Sequence, residues 1–139
     1  MPAKKKRQGE AAFEEAAALR AGLRRFLRRS EALARASGLT VEQYELLLLI
    51  KVSPGGRATI GDLHRELDRR QSGVTQLARR AENLGLVTRE LAPHDARVRY
   101  LRLTETGERR LAAAVSALGR ERALLASVVG GIEPQEAPK

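Results

Sequence analysis

Residues 69–104 constrain the fold of this chain more than any other stretch: a short amphipathic helix, then two strands joined by a charged loop. In RRQSGVTQLARRAENLG, Val74, Leu77, Ala78, Ala81 and Leu84 recur at helical spacing and share one face. Ser72, Thr75, Gln76 and Arg79 fall opposite, with Arg69 at the edge and Arg70 and Gln71 near the helix start. Four arginines and no acid lie between Arg69 and Arg80. Taken alone, such a face has two readings. It is a solvated helix surface, or it enters a DNA major groove, where Ser, Thr, Gln and Arg reach base edges and phosphates.

The segment after the helix favours the groove. Gly85 stands where a helix ends in the left-handed conformation that glycine adopts without steric cost. Residues 86–91 (LVTREL) and 98–103 (VRYLRL) read as strands, and residues 92–97 between them as a turn-forming loop. Helix, hairpin and basic tip together make a winged helix-turn-helix, whose wing touches the backbone or minor groove beside the recognition helix. The expected class is therefore mainly α with a small β-hairpin wing.

The run Asp95-Ala96-Arg97-Val98-Arg99-Tyr100-Leu101-Arg102-Leu103-Thr104-Glu105-Thr106-Gly107 resembles the D-x-R…L-x-L-T-x-x-G signature of the MarR family of bacterial transcription regulators. Upstream, Ser72-Gly73-Val74-Thr75 and Glu82-Asn83-Leu84-Gly85-Leu86-Val87-Thr88-Arg89 look like that family's recognition helix and its exit into the wing. Ala96 departs from the pattern, since many members carry arginine there; Arg97 is left as the matching wing arginine, with Arg99 beside it. The resemblance implies a transcription regulator, expected as a repressor, acting as a homodimer on a palindromic operator. Its DNA-binding residues would be Arg69, Arg70, Gln71, Ser72, Thr75, Gln76, Arg79, Arg97 and Arg99. It also implies a small anionic or aromatic effector bound between the dimerisation helices and the DNA-binding lobe. Nothing in the residues identifies that effector.

The rest of the chain fits one domain over residues 10–132. Residues 1–9, with Lys4-Lys5-Lys6-Arg7, are expected as a disordered basic tail, either adding nonspecific phosphate contacts or only solubilising. Residues 10–38 and 104–132 are expected as terminal helices. Leu19, Leu23, Phe26, Ser30 and Leu33 in the first, and Leu111, Val115, Leu118, Leu125, Val129 and Ile132 in the second, alternate at the four-three spacing of helices that pair. In the related family such helices interlock two copies. Arg122 interrupts the second seam; Gly130-Gly131 and Pro134 end it, leaving 133–139 as a loose tail. Residues 40–103 form the DNA-binding lobe. Thr40 and Gln43 make a capping box at its first helix, and Leu39 with Tyr44 fits the accompanying hydrophobic staple. Tyr44 is read as a core residue in preference to a ligand contact. Ser53-Pro54-Gly55-Gly56 stops that helix. Arg57-Ala58 reads as a stub of strand against the wing. Thr59 caps a short helix with Ile60, Leu63 and Leu67 inward and His64 expected on its exposed side.

Composition limits the alternatives. A formal charge of +9 points to a polyanionic partner. The hydrophobic fraction of 42%, only 3% of residues being aromatic, suits an aliphatic helical core. No run approaches the roughly 20 apolar residues of a membrane span, and no apolar segment follows the basic start as a secretory signal would, so a soluble cytoplasmic protein without a membrane partner is expected. There are no cysteines, which removes disulfides and cysteine-oxidation sensing. Two histidines make metal sensing a poor fit, and no catalytic set or cofactor motif is present. Double-stranded DNA and a second copy are the expected partners. The competing readings are an architectural protein that binds DNA largely without sequence preference, and an interaction module that kept the winged fold but lost DNA binding.

Overall fold

In a computed structural model, which describes residues 2–67, 69–120, 122, 123 and 125, five helices frame a small sheet. Helix α1 (Pro2–Ala36) leads to α2 (Val41–Val52), a short 3-10 turn and strand β1 (Arg57–Ala58). Helices α3 (Ile60–Leu67) and α4 (Gln71–Asn83) form the helix-turn-helix. Strands β2 (Val87–Ala92) and β3 (Asp95–Leu103) form the wing, and α5 (Glu105–Ala117) comes last.

Helix α1 begins at Pro2, so residues 2–9 of the segment expected as a disordered tail are helical. The physical reason lies in its composition: Ala, Lys, Arg, Gln and Glu are strong helix formers, and proline is tolerated in a first turn. From Ala11 to Arg20 every side chain is exposed. From Ala21 onward α1 becomes partly buried, through half-buried Leu23, Phe26, Ser30 and Leu33 to buried Ala34. Of the expected seam, Leu19 therefore lies outside the contact made within this chain. Gly38, at φ +85°, turns the chain, and the Leu39 amide returns to the Ala34 carbonyl at 2.9 Å.

Local chemistry sets the next elements. The Thr40 hydroxyl accepts the Gln43 amide at 3.1 Å while the Gln43 side chain accepts the Thr40 amide at 3.0 Å, which also satisfies Gln43 as a buried polar residue. Thr59 and Asp62 repeat the device at α3, each accepting the other's backbone N–H at 3.1 Å. That bond from the Thr59 amide is the main reason the Asp62 carboxyl sits below its ordinary pKa; the Thr59 hydroxyl and Arg65 add to it against the opposing effect of burial. Leu46, Leu47 and Ile50 of α2 are fully buried, with Ala58, Leu63, Val74, Ala78, Ala81, Leu86 and Leu101 around them. Each large aliphatic side chain here contributes about 1.5–3 kcal/mol relative to exposure.

The sheet runs β1-β3-β2, antiparallel throughout, with Arg57 opposite Arg102 and Ala58 opposite Leu101. Val87 faces Leu103 and Leu91 faces Arg99; the register then slips, so that Ala92 meets Asp95. The turn is only Pro93-His94. The loop expected over 92–97 is thus shorter, because Asp95, Ala96 and Arg97 join β3 across the irregularity.

Two further differences concern a single side chain and the last helix. His64 is half-buried instead of exposed, and its Nδ1 is enclosed without a hydrogen-bond partner among the described residues. One position after buried Leu63, it lies about 100° further round α3, at the border of the buried face. Helix α5 stops at Ala117, with Leu118 in a turn and helical residues resuming at Gly119, a poor helix former. The Arg122 guanidinium spans the break and donates to the Val115 carbonyl at 3.0 Å. Val129, Ile132, Gly130, Gly131, Pro134 and the tail over 133–139 lie outside the described residues.

Candidate nucleic-acid interface

Helix α4 presents its faces as its spacing dictates. Val74, Leu77, Ala78 and Ala81 are buried, whereas Gln71, Ser72, Gln76, Arg79 and Arg80 are exposed and Thr75 is half-buried. Its two ends differ. At the carboxyl end Leu84 caps the helix and Gly85, at φ +73°, reverses the chain. The Gly85 amide bonds the Glu82 carbonyl at 3.0 Å and the Leu86 amide the Ala81 carbonyl at 2.9 Å, the paired closure of a Schellman motif. At the amino end the cap position is Arg70, whose side chain makes no capping bond, and the first turn holds no acid. The backbone N–H groups there carry the positive end of the helix dipole toward whatever approaches.

Arg69 and Arg70 are exposed in the turn between α3 and α4. With His64 and Arg65 they line an open concavity of about 430 Å³. Arg65 is engaged by Asp62 at 2.6 Å, so the two turn arginines are its freer cations. His64 and Arg65 sit five and four residues upstream of Arg69, on the last turns of α3, the helix that leads into that turn.

The wing carries a second cationic surface. Arg97, Arg99 and Arg89 line a concavity of about 380 Å³ against Thr59, Ile60 and Gly61 at the start of α3. Strand parity explains the arrangement. Val87, Arg89 and Leu91 of β2 stand opposite Leu103, Leu101 and Arg99 of β3, so one sheet face buries leucine and valine at its base and carries arginine toward its tip. Arg89 is absent from the residues expected at the interface; the alternation of residues 87–91 gives only its sheet face, and its meeting with Arg97 and Arg99 comes from the β2–β3 pairing. Glu82 holds Arg89 at 2.8 Å, tying the wing to α4. At the tip, the Asp95 carboxylate accepts the Arg97 amide at 2.9 Å and lies 3.5 Å from the guanidinium, whose side chain is 93% exposed. The Asp of the D-x-R signature therefore shapes the turn that presents the Arg.

The opposite face of the sheet is occupied with itself. Arg102 donates to Glu90 at 2.8 Å, Arg57 approaches the same carboxylate at 3.9 Å, and the Arg57 guanidinium stacks 4.5 Å over the Tyr100 ring. The Arg102 hydrogen bond, helped by both arginine charges, holds the Glu90 carboxyl below its ordinary range. These side chains brace all three strands, and the cationic surface is left to the other face.

A smaller cleft of about 170 Å³ opens between α1 and α2 near the end of α5, lined by Phe26, Leu27, Ser30, Tyr44, Leu118 and Arg122 among others. Tyr44 both packs on the core and borders this cleft. Among the described residues no three His, Cys, Asp or Glu side chains gather as a metal site, and no helix is long and apolar enough to cross a membrane.

The geometry agrees with what the chain is similar to. The family model described as MarR family matches residues 37–98. Among solved structures, AbfR in its disulfide-formed state is 24% identical, with a TM-score of 0.75 over 95% of this chain and 93% of that one. AbsC, a MarR family transcriptional regulator from Streptomyces coelicolor, is 26% identical with a TM-score of 0.65 over 86% of this chain and 91% of that one. A mutant MarR from E. coli complexed with operator DNA shares 17% identity and a TM-score of 0.67 over 86% and 93%. No curated protein sequence matches. The resemblance read from the sequence and the winged helix fold it implied are both borne out.

Proposed function

We propose that this chain, which carries the MarR family pattern over residues 37–98 in a winged helix-turn-helix fold, is a sequence-specific transcription regulator that binds double-stranded DNA as a homodimer. The observation that carries the reading is the exposed face of α4: polar, arginine-bearing, free of acid in its first turn, and flanked by the arginines of the wing. The related MarR solved on operator DNA supports the same use of the fold.

In this reading Gln71, Ser72, Thr75, Gln76 and Arg79 meet base edges or adjacent phosphates in the major groove, and Arg69 and Arg70 hold the backbone beside them. Arg97 and Arg99, with Arg89, hold the backbone or minor groove at the wing. The exposed first half of α1, where Phe13 is 77% and Leu19 47% exposed, supports pairing with a second copy. Two recognition helices would then enter successive major grooves with centres about 10 base pairs apart. The protein acts in the cytoplasm as a repressor, and a small anionic or aromatic molecule in the Phe26–Tyr44–Arg122 cleft releases it by favouring another spacing of the two lobes. It has no catalytic activity and needs no cofactor.

Enrichment of random duplex DNA on the purified protein at near-physiological salt tests this. A palindrome strongly preferred over scrambled duplex is the expected result. Binding without enrichment would favour an architectural protein, and no binding would leave the winged fold as an interaction module.

A further inference from the structure

Thr75 stands on the reading face of α4 among groups that offer hydrogen bonds: Gln71, Ser72, Gln76 and Arg79. From the sequence it belongs with them. The structure treats it differently. Its hydroxyl donates to the carbonyl of Gln71, one turn back in the same helix, at 2.9 Å. A threonine Cβ carries only two further heavy groups, the hydroxyl and a methyl. With the hydroxyl turned onto the helix backbone, the methyl is the group left to meet a partner. Ser72 and Gln76 have no such bond to the backbone among the described residues, and keep their polar ends for the partner.

The major groove contains one apolar group at base level, the C5-methyl of thymine. We propose that Thr75 reads thymine through contact between its own methyl and that C5-methyl. It is a specificity-determining residue acting by shape and apolar contact, while its neighbours on α4 act by hydrogen bonding. The inference rests on the DNA-binding function proposed for this fold and assigns a base to one residue within it. A hydroxyl oxygen held by Gln71 still has a lone pair that an amino group of cytosine or adenine could use, and the two modes differ in what each substitution removes.

The test uses the duplex selected from the random pool, with each thymine replaced in turn by deoxyuridine, which lacks only the C5-methyl. For the wild type, one thymine per half-site should lose about fourfold in affinity on replacement, the transfer value of a single methyl. Thr75→Val keeps a methyl and loses the hydroxyl; it should retain that sensitivity. Thr75→Ser keeps the hydroxyl and loses the methyl; it should bind the thymine and deoxyuridine duplexes alike. Circular dichroism melts of both variants check that α4 is intact, and the deoxyuridine scan of the wild type needs no variant. A selected duplex indifferent to deoxyuridine at every position overturns the inference while leaving sequence-specific binding in place. So does a Thr75→Ser protein that keeps the full sensitivity, or a Thr75→Val protein that loses it. If the wild type selects no sequence at all, the DNA-binding function itself falls, and this assignment with it.

Discussion

Gly107 lies so close to Leu86 that a Cβ added to it would collide with the Leu86 carbonyl oxygen. The first turn of α5 therefore rests directly on the backbone where the chain leaves α4. Thr104 completes the joint: its amide donates to the Leu86 carbonyl at 3.0 Å, its hydroxyl donates to the Gly85 carbonyl, and the same hydroxyl accepts the Gly107 amide at 3.1 Å. The T-x-x-G end of the family signature thus has a steric cause, because only glycine lets the two backbones approach so closely.

Gly107→Ala should accordingly destabilise the protein by about 1–3 kcal/mol, the range for forcing atoms into a packed site. Gly73, around which nothing lies within 4 Å, is the contrast. Alanine there should be neutral or stabilise by up to ~1 kcal/mol through helix propensity. Urea unfolding of both variants measures the difference, and a Gly107→Ala protein as stable as wild type would contradict the joint.

The two arginine groups should separate by assay. Arg79→Ala should cost ~1–3 kcal/mol per half-site on the selected duplex and relax preference at one position in each. Arg99→Ala should weaken binding to all duplexes alike and reduce the slope of log K against log salt by about two, roughly one per protomer of the dimer. Titrations at several salt concentrations, on selected and scrambled DNA, give both quantities.

Glu90 sets a pH dependence on the wing. Its carboxyl lies below its ordinary pKa of 4.5 in the folded protein, so its bonds stabilise the fold fully above that value. They are lost as pH falls through the lowered folded value. The melting-temperature advantage of wild type over Glu90→Gln should be constant near neutrality and fade below about pH 4.5. The side chain is 41% exposed, so the advantage should be small and should shrink with added salt. A difference that grows on acidification would reverse that sign.

Removing residues before Ala21 should leave the lobe folded, with its far-ultraviolet circular dichroism retained, because residues 11–20 are exposed throughout. The same truncation should shift the protein from dimer to monomer, read by light scattering during size exclusion. A truncated chain that remains fully dimeric would assign self-association to another surface.

Much of the lobe is legible in the sequence because its signals are local. Thr40 with Gln43, Gly85 after Leu84, and the buried stripe Val74, Leu77, Ala78 and Ala81 each depend on a few neighbouring residues. The illegible part depends on distant pairing. Arg89 joins Arg97 and Arg99 only because β2 and β3 pair in one register. His64 lines one concavity with Arg69 and Arg70 through the path the chain takes after α3. Thr75 has the composition of a free hydrogen-bonding residue, and its type does not reveal that its hydroxyl turns back to Gln71. In residues 2–9 the charge suggests disorder, whereas helix propensity and continuity with α1 decide the conformation.

The unequal ends of α4 also imply unequal local stability along the helix. The carboxyl end is fastened by Gly85, Leu86 and Thr104, while Arg70 leaves the amino end without a side-chain cap. Resistance of backbone amides to solvent exchange should therefore rise along the helix from Ser72 toward Asn83. A probe stiff at its root and compliant at its tip can settle into grooves of slightly different width without disturbing the body that aims it.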